Sequence, residues 1–366
     1  MKRKKSTHLI LSVTLTFILL LGFSGLAEAF PSKAVKELIY KEALEQWKDI
    51  EAKAKQEGQV VVYGWMLEDA QKAFRAAFKK KYPEIDLKIS FLSPRECHVK
   101  IKAEQASKKS IGDFAINVSV LYRMAEDLYQ DPGVLPELLD PNVRWSFNPM
   151  VGKFVVLQTT PLGAVVNTNL VPAGMEPKSF KDVTDPKWKG KFNLDDPRIP
   201  GMGRSFFRAA NILYGESFLK KVVDNKPILS RDPGAAVLMV ARGEYPFSIG
   251  VSTEEVLPRM KPGVPIKMIV FEEGAVSTNL VGLIPANVRH PNAAKVFLNF
   301  LMSEEGQRIF GEVSYVVPIR GGVKVPFPEY QDIEKIKWLG SIVPTAYYDL
   351  VQGSQASTIA RKLIGE

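Results

Sequence analysis

The amino-acid sequence predicts an α/β protein of two bodies, between which the chain crosses twice. Apolar stretches with the two-residue period of strands alternate with stretches that have helical spacing, a pattern typical of a parallel sheet covered by helices. At residues 159–172 (TTPLGAVVNTNLVP) an apolar run passes directly into polar residues and a proline, and residues 272–285 (EEGAVSTNLVGLIP) lead a polar loop into an apolar run. We interpret the first segment as a strand that leaves one body and the second as the return.

The N-terminus has the features of a secretory signal. Residues 2–5 are basic, residues 9–26 are uncharged, and Ala27-Glu28-Ala29 forms a small-x-small site. This pattern predicts a signal peptide of residues 1–29 that is cleaved during export, so that the protein is periplasmic. A membrane anchor is the alternative, because the apolar run approaches the ~20 residues that span a bilayer. The single cysteine, Cys97, cannot form an intramolecular disulfide.

The first body is predicted to begin with a helix and to alternate from there. Its expected elements are a helix at 33–56 capped by Gly58, a strand at 59–65, a helix at 68–82, a strand at 85–92, a helix at 95–108, a strand at 113–119 and an amphipathic helix that continues to Tyr129. Ligands of open α/β sheets bind at the carboxyl ends of the strands. We therefore expect half of a site at Trp65, at Ser93, and at Asn117 with Ser119.

The second body repeats the alternation. Its expected elements are a short helix at 179–185, a strand at 189–196, a glycine-rich loop at 198–204, a helix from Ser205 towards Val223, a helix at 235–245 that ends near Gly243, and strands at 245–251 and 264–271. After the return, helices are expected from His290 and from Ser303, with a mostly helical tail at 332–364. These elements predict a first lobe of residues 30–164 and 279–366, and a second lobe of residues 165–278.

Charge and motifs favour the binding of a small anion over catalysis. The net charge of +9 becomes +6 without residues 1–29, which hold four basic residues and one acidic residue. The lysines are dispersed, without an arginine-rich arm, so the charge favours an anionic solute and not nucleic acid. There is no nucleophile elbow, phosphate-binding loop or zinc motif. Cys97 and His98 are neighbours and cannot face each other on a helix. We expect a monomeric binding protein, not an enzyme, without a cofactor.

Four segments resemble the periplasmic solute-binding proteins of ABC importers. They are VVNTNLVP (165–172), DPKWKGKFNLDDPR (185–198), VARGEYPFSIG (240–250) and HPNAAKVFLNFLMSEEGQ (290–307). The likeness is to the branch with ferric-ion-, thiamine-, polyamine- and 2-aminoethylphosphonate-binding members. It implies a two-lobe type II (Venus flytrap) α/β fold that closes about a hinge, and delivery of the solute to an ABC permease in the inner membrane. A sensing partner of a membrane receptor kinase would share this fold and stays open as an alternative.

The resemblance does not extend to the iron ligands of the ferric-binding members. Those proteins use a tyrosine pair at the position of Phe206-Phe207, and often a histidine where this chain has Trp65-Met66. Ferric ion prefers phenolate and carboxylate oxygens, which phenylalanine cannot supply. We expect no metal held directly by the protein, and a ferric complex stays open as a ligand. Tyr347-Tyr348 are interpreted as packing residues.

Two loop-to-helix junctions, one in each lobe, are expected to face the solute. Helix N-termini present unpaired N–H groups, and arginines can pair with a carboxylate, sulfonate or phosphonate. The predicted ligand-binding residues are Trp65, Ser93, Arg95, Glu96, Asn117, Ser119, Arg198, Gly203, Arg204, Ser205 and Glu273. In this interpretation Trp65 stacks on the ligand, and Glu96 and Glu273 receive an amino group of a zwitterionic solute. Each has a structural alternative, such as a helix cap for Ser93 or a surface ion pair for an arginine.

Overall fold

The structure, a computed structural model, describes residues 33–64, 66–118, 126–140, 142–143, 150–151, 153–199, 201–325, 337–339 and 346–365. The predicted signal peptide, Trp65 and Ser119 lie outside the described residues. The chain divides into two compact units, Met1–Gln46 and Trp47–Glu366. The first unit is described from residue 33 onwards, as the beginning of helix α1 (Lys33–Glu57). The features that follow belong to the second unit.

In the part of the chain that the structure describes, twelve strands form one mixed sheet. They are β1 (Gln59–Gly64), β2 (Asp86–Phe91), β3 (Phe114–Val118), β4 (Tyr129–Gln130), β5 (Met150–Val151), β6 (Phe154–Asn167), β7 (Phe192–Asp195), β8 (Ile228–Ser230), β9 (Phe247–Ser252), β10 (Ile266–Ile269), β11 (Val276–Pro285) and β12 (Val317–Pro318). The principal order is β2-β1-β3-β11-β6-β9-β7-β8. Strand β1 pairs in parallel with β2 and β3, and β7 pairs in parallel with β8 and β9. Two parallel sets therefore lie on either side of the antiparallel pair β11 and β6.

Strands β6 and β11 are the two predicted crossings. They pair antiparallel, with Thr159 opposite Asn279 and a bulge between Leu280 and Val281. All 14 residues of β6 are buried. The strand is apolar towards both ends, whereas its middle is polar, and Thr159 Oγ1 donates a hydrogen bond to Asn279 Oδ1 at 2.9 Å. The polar middle of the crossing pair therefore separates two hydrophobic cores.

Helices cover the sheet and fill these cores. They are α2 (Glu68–Lys81), α3 (Pro94–Ser107), α4 (Met202–Tyr214), α5 (Glu216–Asp224), α6 (Pro233–Ala241), α7 (Thr253–Val256), α8 (Pro291–Met302), α9 (Glu304–Ser314) and α10 (Ala346–Ile364). In the first core, Phe78 makes edge-to-face contacts with Phe297 and Phe300 of α8. In the second core, Phe192 stacks on Phe247 at a centroid distance of 5.0 Å. We call the bodies built around these cores the first and second lobes.

Two elements differ from the sequence prediction. The helix expected from Ser205 to Val223 begins at Met202 and is divided into α4 and α5 by Gly215, which has a φ of +74° and donates its N–H to Asn211 O. Glycine tolerates this left-handed conformation, and it ends the helix there. Tyr129, expected at the end of a helix, lies in β4 opposite Pro285 of β11.

The C-terminal helix packs against the second core, although the sequence division assigns it to the first lobe. Ala356, Ile359 and Ala360 of α10 belong to the second core. Their spacing puts them on one face of the helix, which contacts α4. A chain can cross back at its end, and periodicity along the sequence does not show against which lobe an apolar helical face packs. Among the described residues, no helix has both the length and the apolar character needed to cross a membrane.

Candidate functional site

The predicted junction in the first lobe is a capped helix start. Ser93 donates its N–H and Oγ–H to Glu96 Oε2 at 2.9 and 2.7 Å, and Glu96 N–H donates to Ser93 Oγ at 3.4 Å. These reciprocal bonds form a capping box at the start of α3. They also lower the pKa of the Glu96 carboxyl. Both side chains are thus engaged with each other, as the structural alternative for Ser93 expects.

The two other first-lobe residues have different surroundings. Asn117, at the carboxyl end of β3, is 1% exposed and its side chain hydrogen-bonds the thiol of Cys97. Arg95 is exposed and forms no ion pair with the residues that the structure describes. Arg95 is thus at the protein surface, whereas Asn117 is tied into the lobe interior.

Replacing Ser93 by Ala is expected to lower the free energy of unfolding by about 1 kcal/mol, the usual value of an N-cap side chain. Chemical denaturation at neutral pH measures this loss. Arg95→Ala, two positions further along the chain, is the control and should change stability by less than about 0.5 kcal/mol. Equal stability of the two variants would contradict the capping role.

The second lobe presents a buried carboxylate that holds two arginines. Asp196 follows β7, and its Oδ1 and Oδ2 accept hydrogen bonds from Arg198 Nε and Nη2, both at 2.9 Å. Oδ2 also accepts from Arg231 Nε at 3.0 Å, directly after β8. Burial raises the pKa of Asp196, but the hydrogen bonds from Arg198 and Arg231 outweigh it and hold the pKa at about 2. The ionised carboxylate therefore fixes both guanidinium groups at the carboxyl ends of neighbouring parallel strands.

A third arginine from α10 completes this cluster. Arg361 Nη2 donates to the main-chain oxygen of Arg198 at 3.1 Å, and Arg198 Nη1 donates to Gly365 O at 3.1 Å. Arg198, Ile199, Arg231 and Arg361 line an open cavity of about 420 Å³, which we call the arginine pocket. The sequence analysis predicts Arg198 as a ligand-binding residue but does not include Arg231 or Arg361. Arg231 could have been found by applying the strand-end rule to the second lobe as well.

At the start of α4, where the sequence predicts an anion-binding site, a main-chain N–H group is already hydrogen-bonded within the protein. Gly203 N–H donates to Asp195 Oδ2 at 2.7 Å, so the last residue of β7 supplies the anion itself. A Cβ atom at Gly203 would lie 1.8 Å from Asp195 O, which shows how closely the helix approaches the strand. Burial raises the pKa of Asp195 to about 6, although the N–H groups of Gly203 and Met202 oppose this shift. The hydroxyl of Ser205 is also engaged, since it donates to Gly201 O at 3.2 Å.

Arg204 and Arg208 lie one turn apart on α4. Burial lowers the pKa of both guanidinium groups, and the charge of Arg204 lowers that of Arg208 further. Arg204 has no hydrogen bond or ion pair with any described residue, which is costly for a half-buried cation. Arg204 was predicted as a ligand contact, and this environment is consistent with that role.

Glu273 lies apart from these groups. Its Oε1 accepts a hydrogen bond from Phe180 N–H at 2.9 Å and from Tyr214 Oη at 2.8 Å. The carboxylate thus links the 3-10 helix Phe180–Thr184 to the end of α4, at the opposite end of that helix from Gly203. Its contacts are those of a structural residue in the second lobe.

Sequence reasoning missed an acidic group at the crossing strands. Glu254 is the second residue of α7, directly after β9, and is 8% exposed. Its Oε2 accepts a hydrogen bond from Thr160 Oγ1 of β6 at 3.3 Å. Burial, followed by the charge of Glu255, raises the pKa of Glu254 well above its ordinary value. Glu254 could have been found from the sequence, because Ser252-Thr253-Glu254-Glu255 stand at the end of the strand pattern of β9, where ligand-binding residues are expected.

The described residues contain no group of three or more His, Cys, Asp or Glu side chains that could hold a metal ion. Phe206 and Phe207, at the positions where ferric-binding members have tyrosines, are 3% and 0% exposed and belong to the second core. Both rings therefore pack within the second lobe.

Comparison with known proteins places this geometry in a family. A family model described as bacterial extracellular solute-binding protein matches residues 110–341. An uncharacterized protein of Haemophilus influenzae is 30% identical over 161 residues, which are 40% of this chain and 44% of that protein. The chain thus matches less than half the length of this curated relative.

Solved structures show the same fold at low identity. The substrate-binding protein of an ABC transporter from Agrobacterium tumefaciens has a TM-score of 0.70 at 18% identity, over 84% of this chain and 94% of that chain. Iron-bound HitA from Pseudomonas aeruginosa has a TM-score of 0.66 at 19% identity, over 83% and 99%. AfuA from Actinobacillus pleuropneumoniae, with fructose-6-phosphate bound, has a TM-score of 0.61 at 22% identity, over 84% and 96%.

These likenesses confirm the two-lobe α/β fold of type II periplasmic binding proteins, and the family match confirms the resemblance found in the sequence. The chain belongs to the family of bacterial extracellular solute-binding proteins.

Proposed function

We propose that the protein captures a small anionic organic solute in the cleft between its lobes and delivers it to an ABC permease in the inner membrane. The observation that carries this proposal is the arginine pocket. Three guanidinium groups line it, and Asp196 is the one carboxylate bonded to them among the described residues. A pocket with this excess of positive charge favours a carboxylate, sulfonate, phosphonate or phosphate group.

The hydrogen-bond pattern leaves donors for such a group. Asp196 engages Nε and Nη2 of Arg198 and Nε of Arg231. The two terminal nitrogens of Arg231 and Nη1 of Arg361 have no acceptor among the described residues. Because Asp196 already orients the Arg231 side chain, less conformational entropy is lost when an anion binds to it.

The family supports binding without catalysis, and the predicted signal peptide supports a periplasmic location. AfuA was solved with fructose-6-phosphate, and the Agrobacterium protein is described as the substrate-binding protein of an ABC transporter. An anionic solute and delivery to a permease agree with both. A sensing partner of a receptor kinase would use the same site, and adjacent permease and ATPase genes would favour transport.

A second candidate ligand is a ferric ion carried by an anionic chelator. HitA was solved with iron bound. In this chain Phe206 and Phe207 supply no oxygen ligand, so an iron ion would have to bring its own ligands, and the arginine pocket would hold the carboxylates of the chelator. A ligand screen with ferric citrate beside iron-free citrate distinguishes this case from a purely organic solute.

A thermal-shift screen of sugar phosphates, phosphonates, sulfonates, carboxylates, polyamines, thiamine and ferric complexes tests the proposal. A ligand at one hundred times its dissociation constant adds about 2.7 kcal/mol to stability, which such a screen detects. We expect anions to raise the melting temperature. A shift with cationic ligands alone would overturn the anion assignment.

For the anion found in this way, Arg231→Ala is expected to weaken binding at least about tenfold, because a charge-assisted hydrogen bond is lost. Isothermal titration calorimetry measures the change. Arg242→Ala is the matched control, since an exposed ion pair with Glu244 is the only interaction of the Arg242 guanidinium with the described residues. Unchanged affinity in both Arg231→Ala and Arg361→Ala would place the anion outside the arginine pocket.

A further inference from the structure

A small space lies between the lobes at the middle of the crossing strands. It is lined by Met66, Leu67, Ile116, Gln158, Glu254, Leu280, Phe310 and Ser314, and we call it the hinge pocket. Met66, Ile116 and Phe310 belong to the first core, whereas Glu254 directly follows β9 of the second lobe. The pocket is therefore enclosed only while the two lobes lie against each other, and we call this the closed arrangement.

Glu254 is the one titratable residue among those that line the hinge pocket. It is 8% exposed, and its hydrogen-bond partners are the uncharged side chains of Thr160 and Gln158 of β6. It forms no ion pair with any Lys, Arg or His in the part of the chain that the structure describes. An ionised carboxylate is strongly unfavourable in a buried position that lacks a counter-ion.

The charged groups of the second lobe do not neutralise this carboxyl group. The next residue, Glu255, is itself acidic, and Asp195 at the end of β7 adds a third acid close to Glu255. Arg259, in the 3-10 helix after α7, donates Nη1–H to the main-chain oxygen of Glu255 at 2.6 Å. Lys267 of β10 pairs with Glu176 at 3.4 Å. The other elements packed against α7, which are α6, β6 and β9, contain no charged residue.

The first lobe likewise supplies no cation to the hinge pocket. Its residues that line the pocket are uncharged, and strands β3 and β11 contain no charged residue. On α9, Arg308 pairs with Glu312 at 2.7 Å, and both side chains are exposed. At the start of α2, Lys72 pairs with Glu68 at 2.8 Å, also on the surface. These charges are thus paired with each other and not with Glu254.

The neutral form of Glu254 suits this environment. Gln158 is 1% exposed, and its Oε1 atom is buried without a hydrogen bond. A protonated carboxyl group has an O–H donor, which a carboxylate lacks, so it supplies the kind of group that this amide oxygen needs. Both residues line the same space of about 10 Å³. Burial, followed by the charge of Glu255, raises the pKa of Glu254 well above its ordinary value of 4.5 in the closed arrangement.

Separation of the lobes would remove the first-lobe wall of the pocket and let water reach Glu254. Hydration favours the ionised carboxylate, so the pKa of Glu254 would return towards 4.5. Closing therefore takes up a proton at any pH between the open-state and the closed-state pKa. The resulting preference for the closed arrangement is fully present below pH 4.5 and is lost as the pH rises through the closed-state pKa.

We propose that Glu254 is a proton switch at the hinge: the lobes close on its neutral form and separate more readily when it is ionised. The switch acts on the lobes themselves, whichever solute lies between them. Because a solute enclosed by both lobes favours the closed arrangement, such a solute would bind more tightly at lower pH.

Small-angle X-ray scattering of the protein without ligand, at about pH 5 and about pH 8, tests the switch. For the parent we expect a larger radius of gyration at the higher pH, because the ratio of closed to open molecules falls at least about tenfold. Glu254→Gln cannot ionise, so its radius should equal the low-pH value of the parent at both pH values. Glu244→Gln, a substitution at an exposed position, is the control and should behave like the parent.

Two results would overturn the switch. One is a radius of gyration of the parent that is the same at both pH values. The other is a pH-dependent radius that persists in Glu254→Gln, because another group then carries the proton. Glu254→Gln keeps the side-chain shape and removes a buried acid, so we expect it to fold, which circular dichroism at both pH values checks. Glu254→Met, uncharged and similar in length, is the second variant and should show the same constant radius.

Discussion

Replacing Gly203 by Ala is expected to destabilise the protein by about 3 kcal/mol or more, the upper range for a side chain forced into a filled space. The added Cβ would meet the main-chain oxygen of Asp195 at 1.8 Å. That atom belongs to the buried strand β7 and cannot rotate away as a side chain could. Helix α4 would have to move off the sheet, and the hydrogen bond from Gly203 N–H to Asp195 Oδ2 would lengthen with it. Denaturant unfolding measures the loss.

Gly234→Ala is the matched control for this substitution. Gly234 lies in the first turn of α6, where the nearest atom to an added Cβ is Asp232 Oδ1 at 3.3 Å. Alanine is favoured over glycine in a helix by up to about 1 kcal/mol, which offsets the shift of the capping Asp232 carboxylate that a 3.3 Å contact requires, so this variant should differ from the parent by less than about 1 kcal/mol. If Gly203→Ala were equally well tolerated, the contact between α4 and β7 would be looser than the structure describes. In that case only close contact with a ligand would explain why residue 203 is a glycine.

The periodicity of the sequence predicts the fold well because the buried residues recur at every second position in a strand and at every third or fourth position in a helix. The crossings at residues 159–172 and 272–285 were recognisable because an apolar run meets polar residues where the chain passes between two cores. The division of residues 205–223 into α4 and α5 was not predicted, since the interpretation continued the helical pattern through Gly215. Glycine inside a helical pattern indicates a break only when its backbone conformation is known.

The candidate site was less predictable because its contacts join distant parts of the chain. Asp196 holds Arg231, 35 residues away, and Arg361 reaches Arg198 across 163 residues. A sequence identifies arginines and loop-to-helix junctions but not the carboxylate that neutralises them. For the same reason Ser93 could be a cap or a ligand contact, and Gly203 could approach a ligand or a strand. Only the positions of Glu96 and Asp195 decide between these roles.

Asp195→Asn is expected to change how stability depends on pH, with the largest effect near neutral pH. Burial raises the pKa of Asp195 from 3.8 to about 6, with Asp196 and Glu255 adding to the shift. The folded state therefore binds this proton more tightly than the unfolded state. The stability that comes from it is fully present below pH 3.8 and is lost as the pH rises through 6. For a shift of this size the loss is on the order of 2–3 kcal/mol.

Asparagine cannot ionise, and its Oδ1 can still accept the N–H of Gly203. The free energy of unfolding of the variant relative to the parent should therefore rise between about pH 4 and pH 7. Urea unfolding of both proteins at four pH values in this range measures the difference, in which the contribution of Glu254 cancels because it is common to both. Asp196→Asn should instead lower the free energy of unfolding at neutral pH. The substitution removes a carboxylate that has a pKa of about 2, is therefore ionised at neutral pH, and pairs with Arg198 and Arg231. Parallel pH profiles for Asp195→Asn and the parent would mean that Asp195 has the same pKa in the folded and unfolded states, so that the start of α4 stabilises the ionised form as much as burial disfavours it.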